Sequence, residues 1–254
     1  MPEPWLSRGL TLQERARDEG LTLRLFGSIA ILSHAHDMEW LKDRLDRPPY
    51  HDVDFVGRHQ QFDALRRFFE SQGFVTDPAL IASQEYGVER LVFLDPITGD
   101  PQVDLMSETV RMCHVVDLHG RLELESVTIP VSDLVLTKLQ IVELNPKDVI
   151  DLVLLLASHD VAPGSRGDAI DGARLATVLG RDWGFSYTAH RNLDAVDQYV
   201  ASGPVTRTIA ADVAAKTASV RQAIDGAQKT IGWRMRSAIG TRLPWYETVE
   251  EVRR

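Results

Sequence analysis

The sequence predicts an α+β protein, with strands and helices mixed over residues 1–130 and a mainly helical region over 131–254. Three observations predict it. Short runs of alternating or apolar residues at 21–26, 51–56, 90–94 and 102–106 read as strands, and a helical run at 60–72 lies among them. At Pro130 the pattern changes, and almost everything beyond it carries helical spacing. Hydrophobic residues are 44 % and charged residues 26 % of the 254, the balance of a globular chain with a sizeable core.

In order, Thr11 to Glu14 is a T-x-x-E capping-box pattern, and Gly20 stops the helix it would open. The strand at 21–26 ends in Gly27-Ser28, and Ile29 enters a helix. The polar segment 34–50 ends as loop at Pro48-Pro49. Phe62, Leu65, Phe68 and Phe69 give 60–72 one apolar face, which Gly73 closes. Asp95-Pro96 to Pro101 turns one strand into the next, and 122–129 reads as a further strand. Ser132 caps a helix running to about 144. Asn145 as N-cap with Pro146 at the first helical position then opens another, to about 158. Residues 161–172 are loop-like, and 174–179, 193–200 and 205–231 are helical.

The charge balance excludes some functions. Lys plus Arg is 28 against 37 for Asp plus Glu, a net charge of −9. Non-specific nucleic-acid binding needs a broad cationic face, so only a local basic groove is left open. A single cysteine, Cys113, excludes an internal disulfide and a Cys-rich zinc site. The N-terminus has no signal-peptide apolar run, and the apolar stretch at 152–157 is too short to span a bilayer. A cytoplasmic protein with no membrane partner is the expectation.

The chemistry concentrates in a few places. In the strand at 51–56, Asp52 and Asp54 share one face while Val53 and Phe55 bury the other. Two adjacent carboxylates repel, and a divalent cation resolves the conflict; Mg²⁺ or Mn²⁺ suits such oxygen donors. D-x-D alone is equally a solvated strand face. Asp104, between Val103 and Leu105, adds a third carboxylate on a second strand. Gly27-Ser28, between a strand and a helix, offers backbone N–H groups and a hydroxyl to an anion, or is a simple turn. A second Gly-Ser, at Gly164-Ser165, has no strand before it. With Leu134 at 0°, Lys138 falls near 40°, inside an apolar arc from about 340° to about 100°. It either snorkels to the surface or meets an anion. Asp148 and Asp151 lie three apart on a helix that is otherwise apolar nearly all round, and therefore buried. Asp148 also sits where a carboxylate favours the helix dipole.

The order strand, Gly-Ser, helix, D-x-D strand, helix, acidic strand resembles the nucleotidyltransferase superfamily that includes DNA polymerase beta. The resemblance implies a mixed sheet, a Gly27-Ser28 turn that grips the phosphates of a nucleoside triphosphate, and Asp52, Asp54 and Asp104 as ligands of two metal ions. About twenty residues separate Ser28 from Asp52, which implies an insertion relative to compact members. The stretch Ser132 to Leu152, with its Lys138 and K-D-x-x-D segment, resembles AbiEii-type nucleotidyltransferases, a group that includes the MenT toxins of toxin–antitoxin pairs. In that group a Lys and a downstream Asp join the nucleotide site, positions matched here by Lys138 and by Asp148 or Asp151. Asp182-Trp183-Gly184-Phe185, with Tyr187-Thr188 and Asn192-Leu193, looks like a recurrent segment of related proteins with no assigned reaction. The implied activity is metal-dependent transfer of a nucleoside monophosphate from an NTP to a hydroxyl of RNA, protein or a small molecule. If the chain is a toxin, an antitoxin is a partner. The alternative is a non-catalytic nucleotide-binding or protein-interaction module.

Among weaker candidates, His34 and His36 have metal-pair spacing but suit a polar loop as well. Cys113 and His114, adjacent in a strand, point to opposite faces and so make no nucleophile–base pair. Lys229, Arg234, Arg236 and Arg242, interleaved with Trp233 and Trp245, read as a solvated amphipathic helix rather than a nucleic-acid contact.

Overall fold

The computed structural model describes residues 4–77, 90–164 and 168–248. Its first half holds α1 (Pro4–Asp18), β1 (Leu23–Phe26), α2 (Gly27–His34), α3 (Glu39–Arg44), β2 (Val53–Gly57), α4 (Phe62–Ser71), β3 (Val75–Thr76), β4 (Arg90–Leu94) and β5 (Pro101–Met106). A small hairpin of β6 (Thr109–Arg111) and β7 (Val115–Asp117) follows. The five larger-sheet strands run in the order β1-β2-β5-β4-β3. Only the β2–β5 pair is parallel, so the sheet is mixed and the class is α+β.

Alternation gives this sheet two unlike faces. Val53, Phe55, Leu91, Phe93, Val103 and Leu105 are fully buried on one of them. α4 covers that face, with Phe69 packed 4.4 Å from Phe93 and 5.9 Å from Phe55, ring centre to ring centre. α1 also lies against the sheet. A side chain at Gly9 would meet Leu25 and Val53, so the helix approaches at glycine's distance. The opposite face carries the polar residues of β2, β4 and β5.

In the first half of the chain two local expectations fail for identifiable reasons. Thr11 does not open a helix, because α1 already starts at Pro4; its hydroxyl donates instead to Ser7 O, 2.9 Å away, within the helix. Residues 122–129 form no strand beyond a single parallel bridge between Thr128 and Leu25. Outside that bridge, carbonyls of the segment go to side chains, and Val127 O is shared between the bridge and a side chain. Arg24 donates to Leu122 O and Glu125 O, and Gln13 donates to Ser126 O and Val127 O.

After Pro130 come α5 (Val131–Leu139), α6 (Pro146–Ser158), a short pair β8 (Val161–Ala162) and β9 (Ile170–Asp171), α7 (Gly172–Leu179), α8 (Trp183–Ala201), α9 (Arg207–Gly226) and α10 (Ile231–Ile239). Asn145 caps α6 as its sequence requires, accepting from Asp148 N at 3.1 Å. Ser132 does not cap α5; its hydroxyl accepts from Asp171 N at 2.6 Å. α5 stops at Leu139, short of 144, because Asn192 takes the carbonyls of Leu139 and Ile141. The run expected over 205–231 divides at Ala227, whose backbone is extended. α5 and α6 pack on α2, and one continuous apolar cluster joins both halves of the chain. Among the described residues no helix is long and apolar enough to cross a membrane.

The segment beginning at Asp182 has a clear packing role. Asp182 caps α8 by accepting from Phe185 N. Thr188 Oγ1 meets the ring of His114 at 2.9 Å and accepts from Trp245 Nε1 at 3.2 Å. Gly184 lets the chain at Trp245 pass so close that a Cβ there would lie 2.2 Å from Trp245 O. The segment thus fastens the β6–β7 hairpin, α5 and the chain near residue 245 to one helix. Gly184→Ala should therefore destabilise by about 1–3 kcal/mol, although Gly→Ala in an unobstructed helix stabilises by up to ~1 kcal/mol. Thermal unfolding followed by tryptophan fluorescence gives the sign.

Candidate functional site

The polar face of the sheet meets α2 where β1 ends. α2 begins on the residue after β1, and Gly27 makes the turn with φ of 65°, a left-handed conformation that favours glycine. A Cβ at Gly27 would lie 2.0 Å from Asp54 Oδ2. The turn therefore rests directly on the Asp54 carboxylate, and no other residue type fits there.

Asp54 pairs in register with Phe26 on β1 and with Asp104 on β5. Residues directly opposite in neighbouring strands share a face, so Asp54 and Asp104 stand side by side. Asp52 lies one residue before β2 begins. Arg90, the first residue of β4, projects into the same group. Its Nε donates to Asp104 Oδ1 at 2.9 Å and its Nη2 to Asp104 Oδ2 at 2.5 Å, a fork-like grip on both oxygens. Burial works against the Arg90 charge. The hydrogen bonds to Asp104 and the fields of Asp104, Asp54 and Asp52 outweigh it, and its pKa is raised. All three carboxylates predicted from the sequence therefore act on one guanidinium. Among the described residues no group of three or more His, Cys, Asp or Glu side chains is arranged to hold a metal ion.

On the other side of the turn lies a buried charge network. Ser28 Oγ donates to Asp151 Oδ2 at 2.8 Å. Lys138 Nζ stands 2.7 Å from Asp148 Oδ1, 2.9 Å from Asp151 Oδ2 and 3.5 Å from Ser28 Oγ. Arg47 closes the set, with its Nε 3.0 Å from Asp151 Oδ1 and its guanidinium 3.8 Å over the Tyr50 ring. The Asp151 side chain is 0 % exposed and that of Arg47 only 2 %. Lys138 does not snorkel. Its burial lowers the pKa, but Asp151 and Asp148 together raise it above the ordinary lysine value. Burial likewise raises the Asp151 pKa, and Lys138 and Arg47 more than reverse that. Two cations face two carboxylates, so the network is neutral as a unit.

The structure thus gathers Gly27, Ser28, Lys138, Asp148 and Asp151 at one end of α2. Asp54 lies against the turn, with Asp104 beside it on β5 and Asp52 one residue before β2. Two residues of this region were not singled out from the sequence. Arg90 carried a usable signal, a cation opening a strand otherwise made of Leu91-Val92-Phe93-Leu94. Arg47, in the stretch before Pro48-Pro49, carried none.

The weaker candidates disperse. His36 is exposed and pairs with Asp37, whereas His34 is mostly buried against Thr128 and the His159 ring. His114 stacks on Phe185 and belongs to the packing described above. Arg236 donates to the carbonyls of Leu243 and Pro244, and Trp233 to that of Leu179, so much of the basic stretch is used within the chain. Of the second Gly-Ser, Ser165 lies outside the described residues. No family model, no curated protein and no solved structure matches the chain.

Lys138→Met leaves one cation against two buried carboxylates and should cost about 3–5 kcal/mol. Adding Asp148→Leu restores one charge against one and should recover a large part of the loss. Urea unfolding of the single and double variants checks both. A second expectation concerns His34, whose pKa burial lowers to about 4, with the neighbouring His159 adding to the shift. The neutral ring is favoured in the folded chain, so this contribution is complete above pH ~6.5 and is lost as pH falls toward 4. The loss approaches ~3 kcal/mol at the acid end. Unfolding free energies between pH 4 and 7 should be markedly flatter for His34→Gln.

Proposed function

We propose that this chain is a divalent-metal-dependent nucleotidyltransferase, which moves a nucleoside monophosphate from an NTP to a hydroxyl acceptor and releases pyrophosphate. On this reading residues 1–130 form the nucleotidyltransferase-fold domain and 131–254 a helical domain that lends Lys138 and acidic residues to the cleft. The observation that carries it is the Gly27-Ser28 turn, seated on Asp54 next to Asp104, with Lys138 3.5 Å from the Ser28 hydroxyl.

Each residue has a role that its position supports. The amides at the start of α2 bind phosphate oxygens, where the helix dipole favours negative charge, and the Ser28 hydroxyl joins them by turning its proton from Asp151. Lys138 sets the potential at the turn and orients Ser28 through Asp151; Asp148 and Asp151 keep it charged. The oxygen donors of Asp52, Asp54 and Asp104 fit Mg²⁺ or Mn²⁺ in kind, and the missing Cβ of Gly27 keeps the turn within reach of them. When bound, the metal supplies Lewis-acid activation of the acceptor hydroxyl and neutralises the departing pyrophosphate. On this reading Asp104 completes the metal site and accepts the hydroxyl proton once Arg90 releases it.

The acceptor is RNA, a protein or a small molecule, and the strongly acidic chain favours the latter two outside a local groove. A toxin role with a cognate antitoxin belongs to the same proposal. One observation favours a second reading. Arg90 and Lys138 already have carboxylate partners, as suits a module that binds nucleotide, or another protein, without turnover. Incubation with α-labelled NTPs, Mg²⁺ and mixed RNA, protein and small-molecule acceptors separates the two. The expected result is label transfer with pyrophosphate release, reduced at least about a hundredfold in Asp54→Asn with an unchanged circular dichroism spectrum. Metal-dependent NTP binding without pyrophosphate release would establish the module instead.

A further inference from the structure

α10 is an amphipathic helix mounted inside out. With Ile231 at 0°, Met235, Ala238 and Ile239 fall within about 80° of it, while Arg236, Trp233 and Ser237 fall near 140°, 200° and 240°. The second set faces the chain. Trp233 donates to Leu179 O, and the Arg236 guanidinium lies 5.0 Å over the Trp183 ring and donates to backbone carbonyls. The first set faces outward. No residue of α10 is buried, and Ile231 is 78 % and Met235 68 % exposed. Among the described residues nine large apolar side chains are exposed, and four of them, Ile231, Met235, Ile239 and Leu243, fall within this short stretch. Single exposed apolar side chains are ordinary, but a group of them marks a contact surface.

The charge around this face is equally uneven. The chain carries a net −9, yet residues 226–246 hold Lys229, Arg234, Arg236 and Arg242 and no Asp or Glu. Arg234 flanks the apolar stripe near 300°, Arg242 adjoins Leu243, and both are exposed. Just ahead of Ile231 a cleft of about 340 Å³ opens, with Arg181 and Lys229 in its lining beside Thr177 and Ala227. We propose that the outward face of α10, together with this cleft, docks an acidic segment of a partner protein whose apolar residues recur at helical spacing. Those apolar residues cover the Ile231–Met235–Ile239 stripe, and the carboxylates meet Arg234, Arg242 and the two cations of the cleft. A two-fold pairing of α10 with its own copy is disfavoured, because it brings the arginines of both chains into one cationic field. A lipid surface fits less well. Trp233, the side chain that would anchor there, is turned inward, and an anionic bilayer repels a chain of net −9. None of these residues belongs to the Gly27-Ser28 turn, its carboxylates or the Lys138 network, so the inference is independent of the proposed activity.

The test is fluorescence anisotropy of a labelled synthetic peptide of about twenty residues, with leucine at roughly every third or fourth position and glutamate elsewhere. The full chain should bind it with micromolar affinity, as suits a small surface, and binding should weaken as salt rises. Met235→Asp should weaken binding at least about tenfold, and Arg234→Glu combined with Arg242→Glu by a similar factor. Ile97→Asp, at a side chain 92 % exposed in the turn between β4 and β5, should leave binding unchanged. A peptide with lysine in place of glutamate should not bind. Absence of saturation by ~1 mM peptide overturns the inference, as does equal binding of the lysine peptide or of the α10 variants. Tighter binding to phosphatidylglycerol vesicles than to the peptide overturns it in favour of a lipid surface. A dimer of the free chain in sedimentation velocity that Met235→Asp dissolves overturns it in favour of a second copy. Should Met235→Asp fail to fold, the exposed arginine pair decides.

Discussion

Asp151 is the point on which the molecule's polar interior depends. Its carboxylate is fully buried and receives three unlike donors: the Ser28 hydroxyl from α2, the Lys138 ammonium from α5 and the Arg47 guanidinium from the segment before β2. A buried carboxylate is costly unless its oxygens are fully engaged, and here each donor comes from a different part of the chain. The helix that carries it is apolar on nearly every side and cannot expose Asp151 to water without exposing its leucines. Packing of the helical region thus forces the charge inward, and the charge then dictates where the Gly-Ser turn must stand.

From that turn the arrangement propagates into the sheet. Gly27 touches Asp54, Asp54 neighbours Asp104, and Asp104 holds Arg90. Two charge clusters of opposite construction therefore flank a single short turn. One is sealed and neutral. The other is rimmed by a cation that is a quarter exposed. The two clusters thus differ in how far they are confined.

What the sequence made legible follows the range of the forces involved. β4 and β5 were readable because alternation is local, and the start of α6 because Asn145-Pro146 is a local cap. The anomaly of Lys138, a lysine inside an apolar arc, was readable from helical geometry, but its inward place was not settled there, since the arc drew on positions 141 and 142, beyond the end of α5. Nor were its partners, because they depend on how α6 lies across α5. Arg90 escaped notice for the same reason. Its pairing with Asp104 is a product of strand register, which no single segment encodes. The T-x-x-E pattern misled because a capping box has meaning only where a helix begins, and α1 begins seven residues earlier. The α8 segment from Asp182 to Asn192 was noticed only as a recurring string. Its content is steric, in the space that Gly184 leaves for Trp245.

The segment at 127–129, too short to be a strand, has a consequence for how this chain behaves among its own copies. β1 forms one margin of the sheet, and a margin with free amides and carbonyls is a template for strands of other molecules. Leu25 donates its amide to Val127 O and receives the amide of Ile129, so both of its outward backbone groups are consumed. Gln13 and Arg24 pin the covering segment from either side without extending it. Three residues held by side chains thus blunt the sheet against edge-to-edge growth, and they do so at the same strand whose far end delivers the Gly-Ser turn.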